Sequence, residues 1–564
     1  MNTTTESAVT EAELAAGRRA YELDRKHVFH SWSAQKQIKP MTVTRAEGSY
    51  VWDGEGRKLL DFSSQLVNTN IGHQHPKVVA AIQEQAGKLC TIAPQYVNDA
   101  RSEAARLVSE LTPGNLDTVF FTNGAADAVE LAVRMARLHT GRYKVLSAYR
   151  SYHGGTALAV NVTGDPRRIP NDYGTAGTVH FHAPFLYRSQ FHATTEEEEC
   201  RRALDHLEQI IQLEGPSAFA AVVLESIPGT AGIMVPPPGY LAGVRELTRR
   251  YGIMFIADEV MAGFGRSGKW FAVEHGGDVM PDLLTFAKGI NSGYVPLGGV
   301  AISDEIAATF ADRAYPGGLT YSGHPLACAA AVATIGAMRE EGMVENAARL
   351  GDTVFGPGLA DLAAKHPSVG EVRGTGAFWA VELVKNPETR EPLAPYGASS
   401  PEMNTLIAAC KDRGLLPFAN FNRIHVVPPL NVTDEEARTI TLADSGIGMT
   451  RDEVIEFLGT IAHSGTKKFL EAIKESQGGT QDLIGQFGVG FYSVFMAADK
   501  VEVTTRSWQP DAAPVKWVSD GQEGYTLEDA AADTPRGTSI LVHLKEDAAN
   551  FSKAEHVRYI LSKY

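Results

Sequence analysis

Between residues 115 and 305 short apolar runs alternate with helix-patterned stretches. The runs occupy 118–122, 144–147, 221–225, 253–257 and 299–302, and the pattern predicts helices over 127–138 and 239–251. Buried strands alternating with helices imply a mostly parallel sheet covered on both faces. Active sites in such sheets lie at the carboxyl ends of the strands. Asp258, Glu225 and the loop after Thr122 all fall at such ends.

Lys288 sits in Leu284-Thr285-Phe286-Ala287-Lys288-Gly289-Ile290, an odd setting for a solvated amine. Desolvation makes the neutral amine accessible, and a neutral amine forms an imine with an aldehyde. Thirty residues earlier Asp258 closes the run 253–257. A lysine for the imine and a carboxylate for a pyridinium nitrogen are the two protein groups that pyridoxal phosphate requires. An aspartate after a strand is more often a helix cap, so the case rests on what surrounds the pair.

Thr122-Asn123-Gly124-Ala125-Ala126-Asp127 follows a strand and opens a helix. Small residues there let a phosphate approach the helix N-terminus, although a plain tight turn reads the same way. Ser151-Tyr152-His153-Gly154-Gly155 follows another strand, and its flat ring suits either cofactor stacking or core packing. The loop 318–325 carries Thr320 and Ser322, either of which could bind phosphate or cap the helix expected from about Leu326. Arg423 lies in an apolar stretch and could clamp a substrate carboxylate or form a structural ion pair. His73, His75, His180 and His182 have i, i+2 spacings, but no thiol or carboxylate cluster supports zinc, and no metal is expected.

Together these features resemble the class III pyridoxal-phosphate aminotransferases, over residues 16–437. The resemblance is carried by Tyr50-Val51-Trp52-Asp53-Gly54, Asn70-Ile71-Gly72-His73, Tyr152-His153-Gly154, Asp258-Glu259-Val260, Gly263-Phe264-Gly265-Arg266, Ala287-Lys288-Gly289 and Pro428-Pro429-Leu430. It implies the aspartate-aminotransferase-like α/β fold, fold type I. An N-terminal segment 1–70 contributes to a small domain, a large cofactor domain covers 71–325, and the small α+β domain is completed by 326–437 without its last helix. By that likeness Lys288 and Asp258 are catalytic, and Lys288 moves the proton. Gly124, Ala125, Tyr152, His153, Glu225 and Val260 hold the cofactor, pyridoxal 5′-phosphate. Arg423 binds substrate, and Thr320 reaches the phosphate of a neighbouring subunit in a homodimer with shared sites. The chain departs from the commoner Ser-Gly-Ser phosphate loop in having Gly124-Ala125-Ala126. Leu66-Val67 stands where many amine-transferring members carry tryptophan, and 64–68 is closer to the taurine–pyruvate branch.

Around residue 438 the character changes without a linker. Asn431 to Ala437 looks like a cap and the start of a helix, yet 438–443 reads as a strand. Residues 439–564 resemble the ATP-binding domain of the bacterial Hsp90 chaperones, through Asp444-Ser445-Gly446-Ile447-Gly448-Met449, Leu458-Gly459-Thr460, Gly485 to Ser493 and Arg536-Gly537-Thr538. That likeness implies a partial α+β sandwich of the GHKL type. Asp444, Gly448, Gly488, Gly490 and Thr538 would be remnants of a nucleotide site. The part of that family that carries the catalytic glutamate and the magnesium-binding asparagine should precede Asp444, and aminotransferase sequence stands there instead. Exposed apolar surface is expected where the missing helices belong.

The formal net charge of −15 argues against nucleic acid, and no apolar stretch is long enough to span a bilayer. Four well-separated cysteines and an acidic, polar N-terminus point to the cytoplasm. The expected activity is transfer of an amino group from an amine or ω-amino acid, taurine- or β-alanine-like, to a keto acid such as pyruvate. An aminomutase or decarboxylase would use the same lysine and aspartate. A nucleotide-binding or chaperone module in the tail, or an inactive fusion, are the readings outside that class.

Overall fold

The computed structural model describes residues 11–171 and 176–433, then 436, 440–443, 449–455, 458 and most of 494–545. The chain divides into two compact units, Met1–Val432 and Thr433–Tyr564.

The first unit carries two sheets. Strands β1 (Val43–Glu47), β2 (Tyr50–Asp53) and β3 (Lys58–Phe62) precede the large sheet in sequence. The large sheet is built from β4 (Thr118–Thr122), β5 (Lys144–Ala148), β6 (Thr178–Phe181), β7 (Phe219–Glu225), β8 (Met254–Asp258), β9 (Leu283–Phe286) and β10 (Gly298–Ile302). Its order is β4-β10-β9-β8-β7-β5-β6, and β10 alone runs antiparallel to its neighbours β4 and β9. All seven residues of β7 are buried, as are all those of β9 and β10, because both faces are covered. Alternate residues serve opposite layers. Ala221, Val223 and Ile256 pack with Val129, Ala132 and Val133 of the helix Ala125–Thr140. Val222, Leu224 and Phe255 pack on the other face with Leu207 and Val244, from the helices Glu196–Glu214 and Tyr240–Tyr251.

The second sheet adds β11 (Val369–Thr375), β12 (Phe378–Asn386), β13 (Glu391–Pro392), β14 (Leu415–Asn420) and β15 (Arg423–Val426). Its order is β1-β2-β3-β14-β15-β12-β11, with β13 on the side of β12. The parallel register of Leu415 with Leu60 and of Pro417 with Phe62 joins the N-terminal strands to the later ones. The helix expected near Leu326 runs Pro325–Glu340, with proline in its first turn, where a missing N–H costs nothing.

In the second unit Thr433 and Glu436 form the reciprocal cap expected there. Thr433 N donates to Glu436 Oε2 at 2.7 Å, and Glu436 N donates to Thr433 Oγ1 at 3.3 Å. Strand β16 (Ile440–Ala443) is the predicted strand after residue 438. With β17 (Ala498–Arg506), β18 (Val515–Ser519), β19 (Thr526–Asp529) and β20 (Gly537–Leu544) it makes an antiparallel sheet of order β16-β20-β17-β18-β19. Trp517, Val501, Val503, Val515 and Val542 pack with Val454 and Leu458. Among the described residues of this unit, Ile455 is the one large exposed apolar side chain. Phe495 packs against the same cluster, partly buried.

Candidate active site

Lys288 follows β9 with φ +41, a left-handed conformation that costs a non-glycine residue about 1–3 kcal/mol. Packing behind Gly289 enforces it. A Cβ there would stand 2.5 Å from Asn70 Nδ2 and 2.8 Å from Phe264 Cβ. Asn70 Nδ2 donates to Phe264 O at 2.8 Å, and Arg266 Nη2 donates to Asn70 Oδ1 at 2.8 Å and to Ser64 Oγ at 3.2 Å. Arg266 Nη1 donates to the carbonyls of Ala377 and Pro428. Four motifs scattered in sequence thus meet on one buried guanidinium that props the lysine loop. Burial pulls the Lys288 amine down to about 8, against the charges of Asp258 and Glu225, with Arg167 adding to the shift.

Asp258 ends β8 and is buried. Its Oδ1 accepts from Val260 N at 3.0 Å, and its Oδ2 lies 2.6 Å from His153 Nδ1. Burial opposes charge on His153, but the Asp258 hydrogen bond and charge raise its pKa overall. His153 Nε2 is buried without a partner. Glu225 ends β7 and accepts from Tyr152 N at 2.9 Å and from Gly229 N at 2.9 Å. Burial and the nearby Asp258 charge raise its carboxyl, against His153 and the two N–H groups. Glu225 therefore fixes the backbone beside the Tyr152 ring.

Gly124 and Ala125 form the start of the helix Ala125–Thr140 beyond β4. Nothing lies within 4 Å of where a Gly124 Cβ would be, so this helix N-terminus faces open space. Gly154 has φ +133, and a Cβ there would be 2.7 Å from that of Ala126. The Tyr152-His153-Gly154 loop is therefore pressed against the first turn of that helix. A buried amine, a buried carboxylate, a flanking aromatic ring and an open helix N-terminus fit the aldehyde, pyridine and phosphate of pyridoxal phosphate.

Arg423 opens β15 and is buried. Its cross-strand neighbour Glu382 is taken by Arg188 at 2.7 Å and Arg373 at 2.8 Å. Among the described residues Arg423 makes no ion pair; Nη2 reaches only Thr230 O at 3.5 Å, and Nε has no partner. Burial, opposed by Glu382, pulls its guanidinium down to about 10. Val260 is half-buried in the turn after Asp258. Thr320 is exposed on the loop before the helix Pro325–Glu340, and no hydrogen bond brings its side chain to the others. Asp444, Gly448, Gly488 and Gly490 lie outside the described residues. Thr538 Oγ1 is 3.0 Å from Thr505 Oγ1, whose hydroxyl also reaches Gly537 O and accepts from Met449 N. Among the described residues no cluster of three His, Cys, Asp or Glu could hold a metal. His73 lies 2.9 Å from Asp61, His75 lies 3.2 Å from Glu341, and His180 is 3.1 Å from Thr163 O.

Residues 32–443 match the family model for class-III aminotransferases. The chain belongs to that family. It is a pyridoxal-phosphate-dependent aminotransferase of fold type I. The chain is 35% identical over 409 residues to the 5-aminovalerate aminotransferase of Pseudomonas aeruginosa, covering 71% of this chain and 91% of the relative. To the 4-aminobutyrate aminotransferase of Escherichia coli it is 35% identical over 411 residues, 71% of this chain and 92% of the relative. Among solved structures, the taurine:2-oxoglutarate aminotransferase of Bifidobacterium kashiwanohense, in complex with PLP and glutamate, is 42% identical with a TM-score of 0.72. That likeness covers 74% of this aminotransferase and 94% of the other. Residues 419–518 match the model for histidine kinase-, DNA gyrase B- and HSP90-like ATPases, so a second family is joined to the aminotransferase and the two matches overlap at 419–443. No helix among the described residues is long and apolar enough to cross a membrane.

Sequence reasoning missed Arg167. Its guanidinium carbon lies 3.6 Å from the centroid of the Tyr152 ring. It also missed the Arg188–Glu382–Arg373 network that leaves Arg423 unpaired. Nothing local marks either, because the partners lie on different strands and loops.

Proposed function

We propose that the protein moves an amino group from an amine or ω-amino acid, taurine- or β-alanine-like, to a keto acid such as pyruvate. The observation that carries the reading is Arg423, a desolvated guanidinium without an anion. A buried cation lacking a partner is costly, and a substrate carboxylate would repair it. Relatives that act on 5-aminovalerate, 4-aminobutyrate and taurine support the ω-amino-acid class.

Pyridoxal phosphate, when bound, supplies an aldehyde for the amine and a ring that accepts electrons. In this reading the Lys288 Nζ, half of it neutral at about pH 8, takes the proton from the substrate carbon and returns it. Asp258 holds the ring nitrogen protonated, and His153 holds Asp258 in place. Tyr152 and Val260 flank the ring, Gly124 and Ala125 cradle the phosphate with N–H groups, and Glu225 anchors Tyr152. Thr320, exposed in the single chain, would reach the phosphate site of a second copy, giving a homodimer. An aminomutase or decarboxylase has no call for a second, carboxylate-bearing acceptor, so Arg423 favours transamination. Free cysteines at 90, 200, 328 and 410 suit a cytoplasmic location. Residues 439–564 are read as a nucleotide-binding remnant without ATPase activity, and the domain limits 1–70, 71–325 and 326–437 belong to the same reading.

The test is the visible spectrum of the holoenzyme with single amines. The expected result is bleaching by one donor class and recovery on adding keto acid, with a separate amino acid released. Carbon dioxide release, or a rearranged product without acceptor, would replace the reading.

A further inference from the structure

The segment 68–75 lies along the loop that follows Lys288. Asn70 Nδ2 stands against Gly289 and Asn68 Nδ2 against Gly293: a Cβ on either glycine would be 2.5 Å from the amide nitrogen. Asn68 Nδ2 also donates to Ser292 O at 3.3 Å, and Ile71 N donates to Ser292 Oγ at 3.1 Å. Beyond them Tyr294 Oη donates to Gly72 O at 3.0 Å and accepts from His75 N at 2.6 Å. The two segments are thus fastened together from Gly289 to Tyr294.

Asn70 is the member of this splint that reaches the lysine turn, and both ends of its amide are anchored. Nδ2 donates to Phe264 O at 2.8 Å, and Oδ1 accepts from Arg266 Nη2 at 2.8 Å. Its backbone O accepts from Leu430 N at 2.7 Å, and the residue is buried. A side chain so held cannot turn aside, so Gly289 rests against a fixed surface. Lys288, next to that glycine, has φ +41, and Ser292 has φ +56. Conformations of this kind persist only where the surroundings over-determine them. A turn that relaxed to an ordinary φ would redirect the Lys288 side chain and bring its amine nearer to solvent.

We propose that Asn70 is a positioning residue for Lys288: its doubly anchored amide is the wedge that holds the left-handed turn and so sets where the lysine amine points. The role depends on the reading above in which Lys288 is the lysine that captures the cofactor. Asn70 acts through the backbone of Gly289, with Asn68, Ser292 and Tyr294 keeping the two segments in line.

The test uses the full chain as Asn70→Ala, Gly289→Ala and the double variant, each with its urea midpoint measured. The first readout is the rate of pyridoxal phosphate capture against pH, after removal of bound cofactor. In the wild type the rate should rise with a midpoint at about pH 8. Asn70→Ala should move that midpoint to about pH 9 or above, toward the ordinary 10.5, because an amine released from burial regains its basicity. With β-alanine and pyruvate, kcat should fall by on the order of a hundredfold with little change in KM, since a misplaced proton carrier slows chemistry more than binding. Gly289→Ala drives a methyl group into the same amide and should act in the same direction, so it carries the test where Asn70→Ala does not fold. In the double variant the methyl meets no amide, and adding Gly289→Ala should cost at least about fivefold less in kcat than it costs the wild type. The remaining approach to Phe264 Cβ, 2.8 Å, keeps that rescue partial. A capture midpoint still near 8 in both single variants, or losses that simply multiply in the double variant, would overturn the role of Asn70. Capture by a lysine other than Lys288 in the wild-type chain would overturn the reading of Lys288 itself, and this role with it.

Discussion

His153 Nδ1 lies 2.6 Å from Asp258 Oδ2, with both side chains almost wholly excluded from solvent. The residues are 105 positions apart, Asp258 at the end of β8 and His153 in the loop beyond β5. The pair orients a carboxylate whose other oxygen accepts from Val260 N. A charge so held is preorganised for the ring nitrogen of the cofactor and needs no rearrangement during reaction.

Asp258→Asn should therefore lower kcat/KM by on the order of a hundredfold or more, as loss of a preorganised electrostatic stabiliser does. The amide cannot keep the ring nitrogen protonated, and it removes the charge that raises His153. His153→Leu keeps the carboxylate but frees it to turn, so a smaller loss of kcat is expected. Near-normal turnover by Asp258→Asn, at full cofactor occupancy, would reduce Asp258 to a turn-forming residue.

The pH response of Lys288 follows from its burial. Its folded pKa, about 8, lies below the ordinary 10.5, so the neutral amine grows in as pH rises through about 8. Covalent capture of pyridoxal phosphate by the cofactor-free protein should accelerate from about pH 7 to 9 and then level off. An ordinary surface lysine would still be gaining rate above pH 10. Borohydride trapping should place the adduct on Lys288, and Lys288→Ala should abolish it and transamination together. An adduct on another lysine would refute the assignment.

Arg423→Ala should raise KM for the keto acid by about ten- to a hundredfold, and far less for an amine lacking a carboxylate. Stability separates substrate binding from a structural ion pair. Among the described residues Arg423 has no carboxylate partner, so replacing it with methionine should leave the urea midpoint unchanged or higher. Removing Glu382, by contrast, strips the half-buried Arg188 of its counter-charge and leaves Arg373 with Glu371 alone, and should destabilise the protein by about 3 kcal/mol. A destabilised Arg423→Met variant with unchanged KM would mean a structural arginine.

Strands β4, β5, β7, β8 and β10 were legible to within two residues, because burial on both faces forces unbroken apolar runs. The ends of those runs located Asp258 and Glu225 for the same reason. What the sequence hid was pairing across distance. That Arg266 ties Ser64, Asn70, Ala377 and Pro428 together appears only when the two sheets are assembled. The freedom of Arg423 was also hidden, since it depends on Glu382 being claimed by Arg188 and Arg373. That Val454 and Leu458 pack with the strands 498–506 and 515–519 of the tail was likewise hidden, since they are more than forty residues apart in sequence.

The last prediction concerns that tail. Residues 439–564 should show no magnesium-dependent ATP turnover. In the sequence, aminotransferase residues precede Asp444 where that family's catalytic glutamate is expected. The core beneath the aminotransferase site runs from Ile71 to Val432, whereas the tail's sheet has its own core from Val454 to Val542. Trp517 is fully buried there and stacks on Tyr525 at 6.0 Å. Trp517→Ala should cost about 3–5 kcal/mol, enough to open a small sheet, and expose the tail to protease. Transaminase activity should survive both that substitution and removal of 439–564. Loss of activity on removal would mean that the tail has taken over the support once given by the missing final helix. ATP turnover abolished by Asp444→Asn would restore the tail as an enzyme in its own right.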